Sequence, residues 1–216
     1  MIRAAVESVS TSSEIPQSSL MQRIHAHLFL KLALYPALSI FFCVPYFLIQ
    51  RLPWIHPRTL PLTWIDEAIG YRPGAIYAYQ SVYLLIPLLP FLAAGREDLF
   101  RFARGFLFLC LVSFTICFLL PVAGPRPEHA AGNWMTRFVF SYDRNLNAFP
   151  SLHTGLAAYS VLFGSATQPG WLVAVCGLWV VVIMFATLAT KQHYFLDLPP
   201  ALLLAWLAHR FAGWRR

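Results

Sequence analysis

Long apolar runs with few charges constrain the fold of this chain more than any other feature. The sequence has 216 residues, of which 58% are hydrophobic and 12% are charged, whereas a soluble domain carries about 25% charged residues. Several runs approach the roughly 20 residues that a helix needs to cross a bilayer. We therefore predict an all-α integral membrane protein with six transmembrane helices. The predicted spans are residues 28–49, 75–94, 102–122, 150–167, 171–188 and 194–211.

The polar segments outside these runs define the rest of the organisation. Residues 1–24 are rich in Ser, Thr and Glu and have no apolar core, so we expect a disordered tail and not a signal peptide. Residues 25–216 show no repeat and no second domain, and they are expected to form a single six-helix membrane domain. Residues 51–73 are too polar to cross a membrane and are expected to lie among lipid headgroups.

The formal net charge of +7 comes from Lys and Arg residues that are spread between the apolar runs. They do not gather in a basic helix, so the sequence does not predict nucleic-acid binding. With six spans, both termini lie on one side of the membrane, and that side holds more Lys and Arg than the other. By the positive-inside rule we expect cytoplasmic termini. The expected location is a bacterial inner membrane. The loops at about 123–153 and 188–197 would then face the periplasm or a lumen.

All four cysteines lie inside apolar runs, and the chain has no CxxC motif and no Cys/His cluster. Cysteine in such a setting behaves as a small apolar side chain. We therefore expect neither a disulfide nor a metal site, and no cofactor.

A histidine, His153, stands at the predicted start of the fourth span. Pro150 suits the first turn of a helix, which would put Ser151 and His153 where free N–H groups and the helix dipole favour an anion. Ser151 is therefore a candidate phosphate ligand, and His153 is a candidate proton donor to a leaving oxygen. A histidine that only occupies the membrane interface is the alternative.

His193 and Asp197 are four residues apart at the start of the sixth span. On a helix they would share a face. The carboxylate could then accept a hydrogen bond from one imidazole nitrogen and raise the nucleophilicity of the other. Pro199 and Pro200 make a helix uncertain here, and a role for Asp197 as a helix cap is the alternative.

Three cations in the same loops are candidate phosphate ligands. Arg126 lies between two prolines, and a guanidinium matches two phosphate oxygens at once. Lys191 precedes His193 by two residues, and Arg144 is a further candidate in the loop before the fourth span. For each of them, a positive loop charge that faces anionic lipid is the alternative.

The two histidine motifs together resemble the type 2 phosphatidic acid phosphatase (PAP2) superfamily. The resemblance rests on Pro-Ser-Leu-His at 150–153 and, one span later, His-Tyr-Phe-Leu-Asp at 193–197. The longer stretch Ala-Phe-Pro-Ser-Leu-His-Thr-Gly at 148–155 resembles the branch that contains inositol phosphorylceramide synthases. The resemblance covers about half of the chain, from the third span to the sixth.

The resemblance implies a metal-independent phosphate site on the outer side of a PAP2-like bundle of six helices. It implies that His193 attacks phosphorus and that His153 protonates the leaving group. Asp197 matches the aspartate of the third motif, and Arg126 matches the arginine of the first.

Four positions depart from the superfamily pattern. The lysine of the first motif is replaced by Leu119, and the glycine before the second-motif histidine is replaced by Leu152. The Ser-Arg pair of the third motif falls at Ala186 and Thr187. Two phosphate-binding cations are therefore missing, which favours the inositol phosphorylceramide synthase branch and makes Lys191 a candidate replacement.

These motifs lead to a hypothesis of lipid-phosphate chemistry. The leading function is a membrane phosphatase that hydrolyses a lipid phosphomonoester or pyrophosphate through a phosphohistidine. The second hypothesis is a phosphotransferase that moves a phospho-headgroup to an alcohol, and the third is a lipid-binding protein without catalysis. A metal enzyme with two histidines and a carboxylate as ligands is the remaining alternative. The sequence leaves the oligomeric state open.

Overall fold

The computed structural model describes residues 19–51, 54–127 and 132–213, which fold mainly into helices. In this part of the chain, β-type pairing is limited to two isolated bridges, Arg58 to Val122 and Val122 to Asn147. The all-α prediction is confirmed. The α-helices are α1 (Leu20–His25), α2 (Leu28–Arg51), α3 (Trp64–Ile69), α4 (Ile76–Gln80), α5 (Val82–Phe91), α6 (Arg96–Leu119), α7 (Trp134–Tyr142), α8 (Leu152–Thr167), α9 (Gly170–Ala189) and α10 (Leu198–Phe211).

Helix α1 lies at the end of the segment for which the sequence predicts a disordered tail. The hydroxyl of Ser19 accepts a hydrogen bond from the N–H of Gln22, whose side chain accepts one from the N–H of Ser19. This capping box satisfies the first turn, and residues 20–24 are helical where disorder was expected. The rest of the predicted tail, residues 1–18, lies outside the described residues.

Among the residues that the structure describes, four helical stretches are long and apolar enough to cross a membrane. They correspond to the first, second, third and fifth predicted spans, and they support an integral membrane protein. The second of them begins with a 3₁₀ turn and continues through α4 and α5. The four stretches are Leu28–Arg51, Pro73–Phe91, Arg96–Leu119 and Gly170–Ala189.

The fourth and sixth predicted spans form shorter helices than expected. α8 has 16 residues and α10 has 14, so they are roughly 24 and 21 Å long, against roughly 30 Å of bilayer hydrocarbon. Pro150 does not stand in the first turn of α8, as predicted, but precedes the cap residue Ser151. α10 starts late because a 3₁₀ turn, Phe195–Asp197, comes before it.

Helix α8 forms the centre of the bundle and packs against α5, α6, α9 and α10. Leu152 and Phe163 along it are at most 2% exposed. Tyr159 stacks on Phe102 of α6, with ring centroids 5.4 Å apart, and its hydroxyl donates to the Phe102 carbonyl oxygen at 3.0 Å. Because α8 is packed on several sides, its first turn, which carries His153, is held in place.

The loops gather at two opposite ends of the bundle. At one end, Arg23 in α1 donates a hydrogen bond of 3.1 Å to Gln168, in the turn between α8 and α9. At the other end, the N–H of Ser151 donates to the carbonyl oxygen of Asp197 at 3.3 Å. Both histidine motifs therefore lie at the same end, opposite α1.

Replacing Gly105 with alanine should destabilise the bundle. A Cβ at Gly105 would lie 2.1 Å from the hydroxyl oxygen of Tyr159 and 2.5 Å from the ring carbon that carries it, so α6 and α8 would have to move apart. Such overpacking costs about 1–3 kcal/mol, which exceeds the roughly 1 kcal/mol that alanine gains over glycine in a helix. Thermal unfolding of the purified protein in detergent measures the change.

Gly177 in α9 provides a matched control, because nothing lies within 4 Å of a Cβ at that position. Gly177→Ala should leave the unfolding temperature unchanged or raise it. Equal effects of the two substitutions would contradict the close packing of α6 on α8.

Candidate active site

Two histidines from distant parts of the sequence lie side by side at one end of the bundle. His153 is in the first turn of α8, and His193 is in the turn that follows α9. Their ring centroids are 5.8 Å apart, the rings are tilted by 58°, and both side chains are buried. This pair forms the centre of a candidate active site.

Hydrogen bonding at one ring nitrogen fixes the tautomer of His193. Its Nδ1 lies 2.8 Å from the carbonyl oxygen of Ala148 and 3.3 Å from Oδ2 of Asp197. Because a carbonyl oxygen only accepts, Nδ1 carries the hydrogen, and Nε2 keeps the lone pair when the ring is neutral. Nε2 is therefore the nitrogen with which His193 can attack an electrophile.

The contact between Asp197 and His193 arises without a continuous helix. His193 lies in a turn, and Asp197 ends the 3₁₀ turn that follows. Oδ2 of Asp197 also accepts from the N–H of Tyr194 at 2.8 Å, and its side chain does not cap α10. The sequence left a helix uncertain here, and the two residues do not share one. The prolines at 199 and 200 belong to the first turn of α10, which begins only after Asp197.

Two tyrosines hold the ring of His153. Tyr79 stacks on it with centroids 4.2 Å apart, and the Tyr79 hydroxyl oxygen lies 3.3 Å from Nδ1. Tyr83 meets the ring edge-on at a centroid distance of 5.8 Å. The other ring nitrogen, Nε2, is buried and has no hydrogen-bond partner among the described residues. A buried histidine nitrogen in this state, beside His193, is suited to exchange a proton with a bound substrate.

Ser151 is the cap of α8, one residue before the helix, and does not lie in its first turn as predicted. Its hydroxyl accepts from the N–H of Thr154 at 3.3 Å and lies 3.2 Å from the Thr154 hydroxyl, to which it donates. Only 1% of the residue is exposed. In this arrangement Ser151 orients the turn that carries His153.

Arg126 reaches the histidine pair through Gln192. Its Nε lies 3.2 Å from Oε1 of Gln192, and Nη2 donates to the same oxygen. Nη1 donates to the carbonyl oxygen of Asp143, whose Oδ2 lies 3.5 Å from Nη2. The guanidinium also covers the ring of Phe140, 4.2 Å from its centroid. Arg126 thus lies close to His193, with its N–H groups turned to Gln192 and Asp143.

The other two predicted phosphate ligands have different surroundings. Lys191 is 9% exposed, and its Nζ donates to the backbone carbonyl oxygen of Asp66 in α3. Arg144 is exposed, and its backbone N–H donates to Oε1 of Gln50 at 2.7 Å. Lys191 therefore ties the turn of His193 to α3, while the Arg144 side chain stays at the surface of its loop.

Three residues that the sequence did not place in the site prove central to it. Asp143 pairs with Arg126 and accepts a hydrogen bond of 3.0 Å from the hydroxyl of Tyr46. Gln192 joins Arg126 to the histidine turn, and Tyr79 stacks on a histidine ring. No local pattern marks these residues, since their partners come from other segments of the chain.

Metal ligation was not expected from the sequence. Across residues 19–51, 54–127 and 132–213, no three His, Cys, Asp or Glu side chains gather as the ligands of a metal ion would. All four cysteines are free, and three of them are buried. Metal independence stays a prediction, which chelation tests.

Replacing Asp66 with alanine should loosen the turn that carries His193. Oδ1 of Asp66 accepts from the N–H of Phe195 at 2.8 Å, and Oδ2 accepts from the N–H of Thr63 at 2.8 Å as part of a capping box on α3. Loss of the cap and of a buried acceptor should cost about 2–4 kcal/mol. Thermal unfolding in detergent measures the loss.

Glu67, the next residue on α3, provides the control because its side chain is exposed. Glu67→Ala should change the unfolding temperature little. A similar effect of both substitutions would mean that Asp66 does not anchor the turn.

One comparison with known proteins identifies a family for this chain. Residues 51–211 match the family model of the PAP2 superfamily, a range that contains α3 to α10 and both histidine motifs. Neither the curated proteins nor the solved structures include a match to the chain. Because the family model covers well over half of the sequence, together with the whole histidine cluster, the chain belongs to the PAP2 superfamily.

Proposed function

We propose that this protein is a membrane enzyme that cleaves a lipid phosphomonoester or pyrophosphate through a covalent phosphohistidine on His193. Members of the PAP2 superfamily are generally phosphatases or phosphotransferases. One observation carries the proposal: His193 has its Nδ1 occupied and its Nε2 available, and a second histidine lies 5.8 Å away between ring centroids. A nucleophile and a proton donor are the two groups that such a transfer needs.

An apolar cavity inside the bundle, which shares Tyr83 with the surroundings of His153, supports a lipid as the substrate. The cavity has a volume of about 240 Å³ and lies among α2, α5, α6 and α8. Tyr83 lines it and also contacts the ring of His153, and Leu156, one turn further along α8, lines it as well. In this proposal the hydrocarbon chain occupies the cavity and the phosphate group lies at the histidine pair.

In the first step, Nε2 of His193 attacks phosphorus in line with the leaving oxygen. The N–P bond forms as the P–O bond breaks, and His153 in its protonated form gives a proton to the leaving oxygen. The Ala148 carbonyl oxygen and the Asp197 carboxylate accept hydrogen bonds from Nδ1–H of His193 and stabilise the positive charge that develops on the ring.

In the second step, neutral His153 takes a proton from water as the water oxygen attacks phosphorus. The P–N bond breaks, inorganic phosphate leaves, and both histidines return to their starting states. Arg126, whose guanidinium pairs with Asp143 and donates to Gln192, adds positive charge near the phosphoryl oxygens in both steps. The chain contributes position and charge stabilisation, and no metal takes part in this scheme.

Transfer to an alcohol in place of water is the second candidate, and the missing cations favour it. Leu119 is 49% exposed at the end of α6, and Ala186 is buried against an apolar cluster. The Thr187 hydroxyl donates to the carbonyl oxygen of Met184 at 2.7 Å. These positions supply none of the positive charge in the superfamily pattern, and the inositol phosphorylceramide synthase branch resembles the chain in this respect.

The proposal also gives the site a side of the membrane. Both histidine loops lie at the end of the bundle opposite α1, and the positive-inside rule favours the cytoplasm for the α1 end. In this proposal α8 and α10 complete six spans, and the site faces the periplasm or lumen of a bacterial inner membrane.

Replacing His193 with asparagine should lower turnover by about a thousandfold or more. Asparagine keeps an N–H donor for the Ala148 carbonyl but offers no nucleophilic nitrogen. The assay measures products from a panel of lipid phosphomonoesters, pyrophosphates and phosphodiesters. Each substrate is tested with and without a chelator, and with and without an added alcohol. A near-normal rate in the variant would rule out the phosphohistidine.

The same panel separates the other hypotheses. Phosphate release without an acceptor supports the phosphatase, and product formation only with the alcohol supports the phosphotransferase. Loss of turnover on chelation would contradict metal independence, and lipid binding without turnover in the wild type would support a non-catalytic protein.

Replacing His153 with alanine should separate the two chemical steps. The nitrophenolate of p-nitrophenyl phosphate leaves without needing a proton, so His193 can still be phosphorylated, whereas hydrolysis lacks its base. We expect a stoichiometric burst of nitrophenolate, a slow steady state and an acid-labile phosphoprotein. Equal slowing of both phases, with no burst and no phosphoprotein, would contradict the role assigned to His153.

A further inference from the structure

We propose that the carboxamides of Gln192 and Asn145 donate N–H groups to the oxygens of the phosphoryl group beside His193. They would act as neutral ligands where the superfamily pattern has cations. This inference rests on the proposed function, because it names the groups that hold the phosphate in that site. The ligand that these amides would bind is a tetrahedral phosphoryl oxyanion.

Gln192 has an amide whose orientation is fixed by its partner. Oε1 accepts from Nε and Nη2 of Arg126, and an arginine only donates, so Nε2 of Gln192 faces away from the guanidinium. The side chain is fully buried, and Nε2 has no hydrogen-bond partner in the described chain. Gln192 is also the residue before His193, which places this donor at the nucleophile's own turn.

Asn145 offers the second buried donor. It has a φ of 55°, a conformation that asparagine tolerates better than most residues, and its backbone N–H donates to Oδ1 of Asp143 at 2.8 Å. It is 6% exposed, and within the described ranges its Nδ2 has no acceptor. Buried amide donors are nearly always satisfied in proteins, so two of them in one site indicate a missing acceptor.

Gly124 brings the side chain of Asn145 close to the backbone of Gln192. Its N–H donates to the carbonyl oxygen of Asn145 at 2.9 Å. A Cβ there would lie 1.9 Å from Nδ2 of Asn145 and 2.5 Å from the carbonyl oxygen of Gln192. Gly124, two residues before Arg126, therefore lets the arginine loop, the Asn145 loop and the histidine turn meet.

The charges around the site explain the need for neutral donors. Arg126 is paired with Asp143, and the ammonium group of Lys191 donates to the Asp66 carbonyl oxygen. Carboxamide N–H groups add hydrogen bonds to a phosphoryl oxyanion without adding charge. The two carboxamides would therefore supply N–H donors in a site where Arg126 and Lys191 already have hydrogen-bond partners.

The test uses Gln192→Glu and Asn145→Asp in the full-length protein. Glutamate keeps an oxygen for Arg126 but removes the amide donor, and aspartate tolerates the same positive φ as asparagine. Gln80→Glu is the matched control, because Nε2 of Gln80 already donates to the hydroxyl of Tyr142 at 3.4 Å. Binding of radiolabelled inorganic phosphate is measured by equilibrium dialysis, together with inhibition of turnover by orthovanadate.

Each of the two site substitutions should weaken phosphate binding and orthovanadate inhibition by about tenfold to a hundredfold. The control should bind phosphate as the wild type does. Wild-type phosphate binding in folded Gln192→Glu or in folded Asn145→Asp overturns the inference, and an equal loss in the control overturns it too. If one variant fails to fold, the other decides.

The same measurements keep this inference apart from the proposed function. Full turnover in His193→Asn, with phosphate binding that still depends on Gln192, would refute the phosphohistidine and retain the amide site. Loss of turnover in His193→Asn, together with wild-type phosphate binding in Gln192→Glu and Asn145→Asp, would support the phosphohistidine and refute the amide site.

Discussion

The hydrogen bond from Nδ1 of His193 to the carbonyl oxygen of Ala148 is the interaction on which the site depends. It joins residues 45 positions apart in the sequence and decides which ring nitrogen is left with a lone pair. Ala148 stands five residues before His153, so the same short segment orients one histidine and carries the other. The positions of the two rings are therefore linked through the backbone that enters α8.

Buried charges around this pair are each matched by a nearby acceptor. Arg126 is matched by Asp143 and Gln192, and Lys191 is matched by the carbonyl oxygen of Asp66. A buried cation without such partners is strongly unfavourable. These contacts also connect the loops, so the groups that lower the cost of burial are the ones that hold the histidine turn in place.

The sequence predicted the parts of this protein that depend on local pattern. Apolar runs indicated the helices, and the spacing of His153, His193 and Asp197 indicated a cluster that the structure assembles. The first residue of each helix was less predictable. Pro150 could stand either in the first turn of α8 or before its cap residue, and in the structure it precedes the cap residue Ser151. The lengths of α8 and α10 followed from such details.

The polar partners could not have been read from the sequence. Asp143 had no evident role until the fold brought Arg126 and Tyr46 to it, and Lys191 is drawn to the Asp66 carbonyl oxygen by the packing of α3. A charge in a loop has many possible partners, and only tertiary structure chooses among them. Side-chain chemistry alone favoured a phosphate role for Lys191, whereas geometry gives it an anchoring contact.

The shortness of α8 has a consequence for access. α8 and α9 leave the same tight turn, and α9 is four residues longer, so the first turn of α8 begins roughly 6 Å below the far tip of α9. His153, in the first turn of α8, therefore lies below the end of α9, and 5% of the residue is exposed. In the proposed reaction, a lipid would therefore have to carry its phosphate group below the end of α9 to meet this histidine.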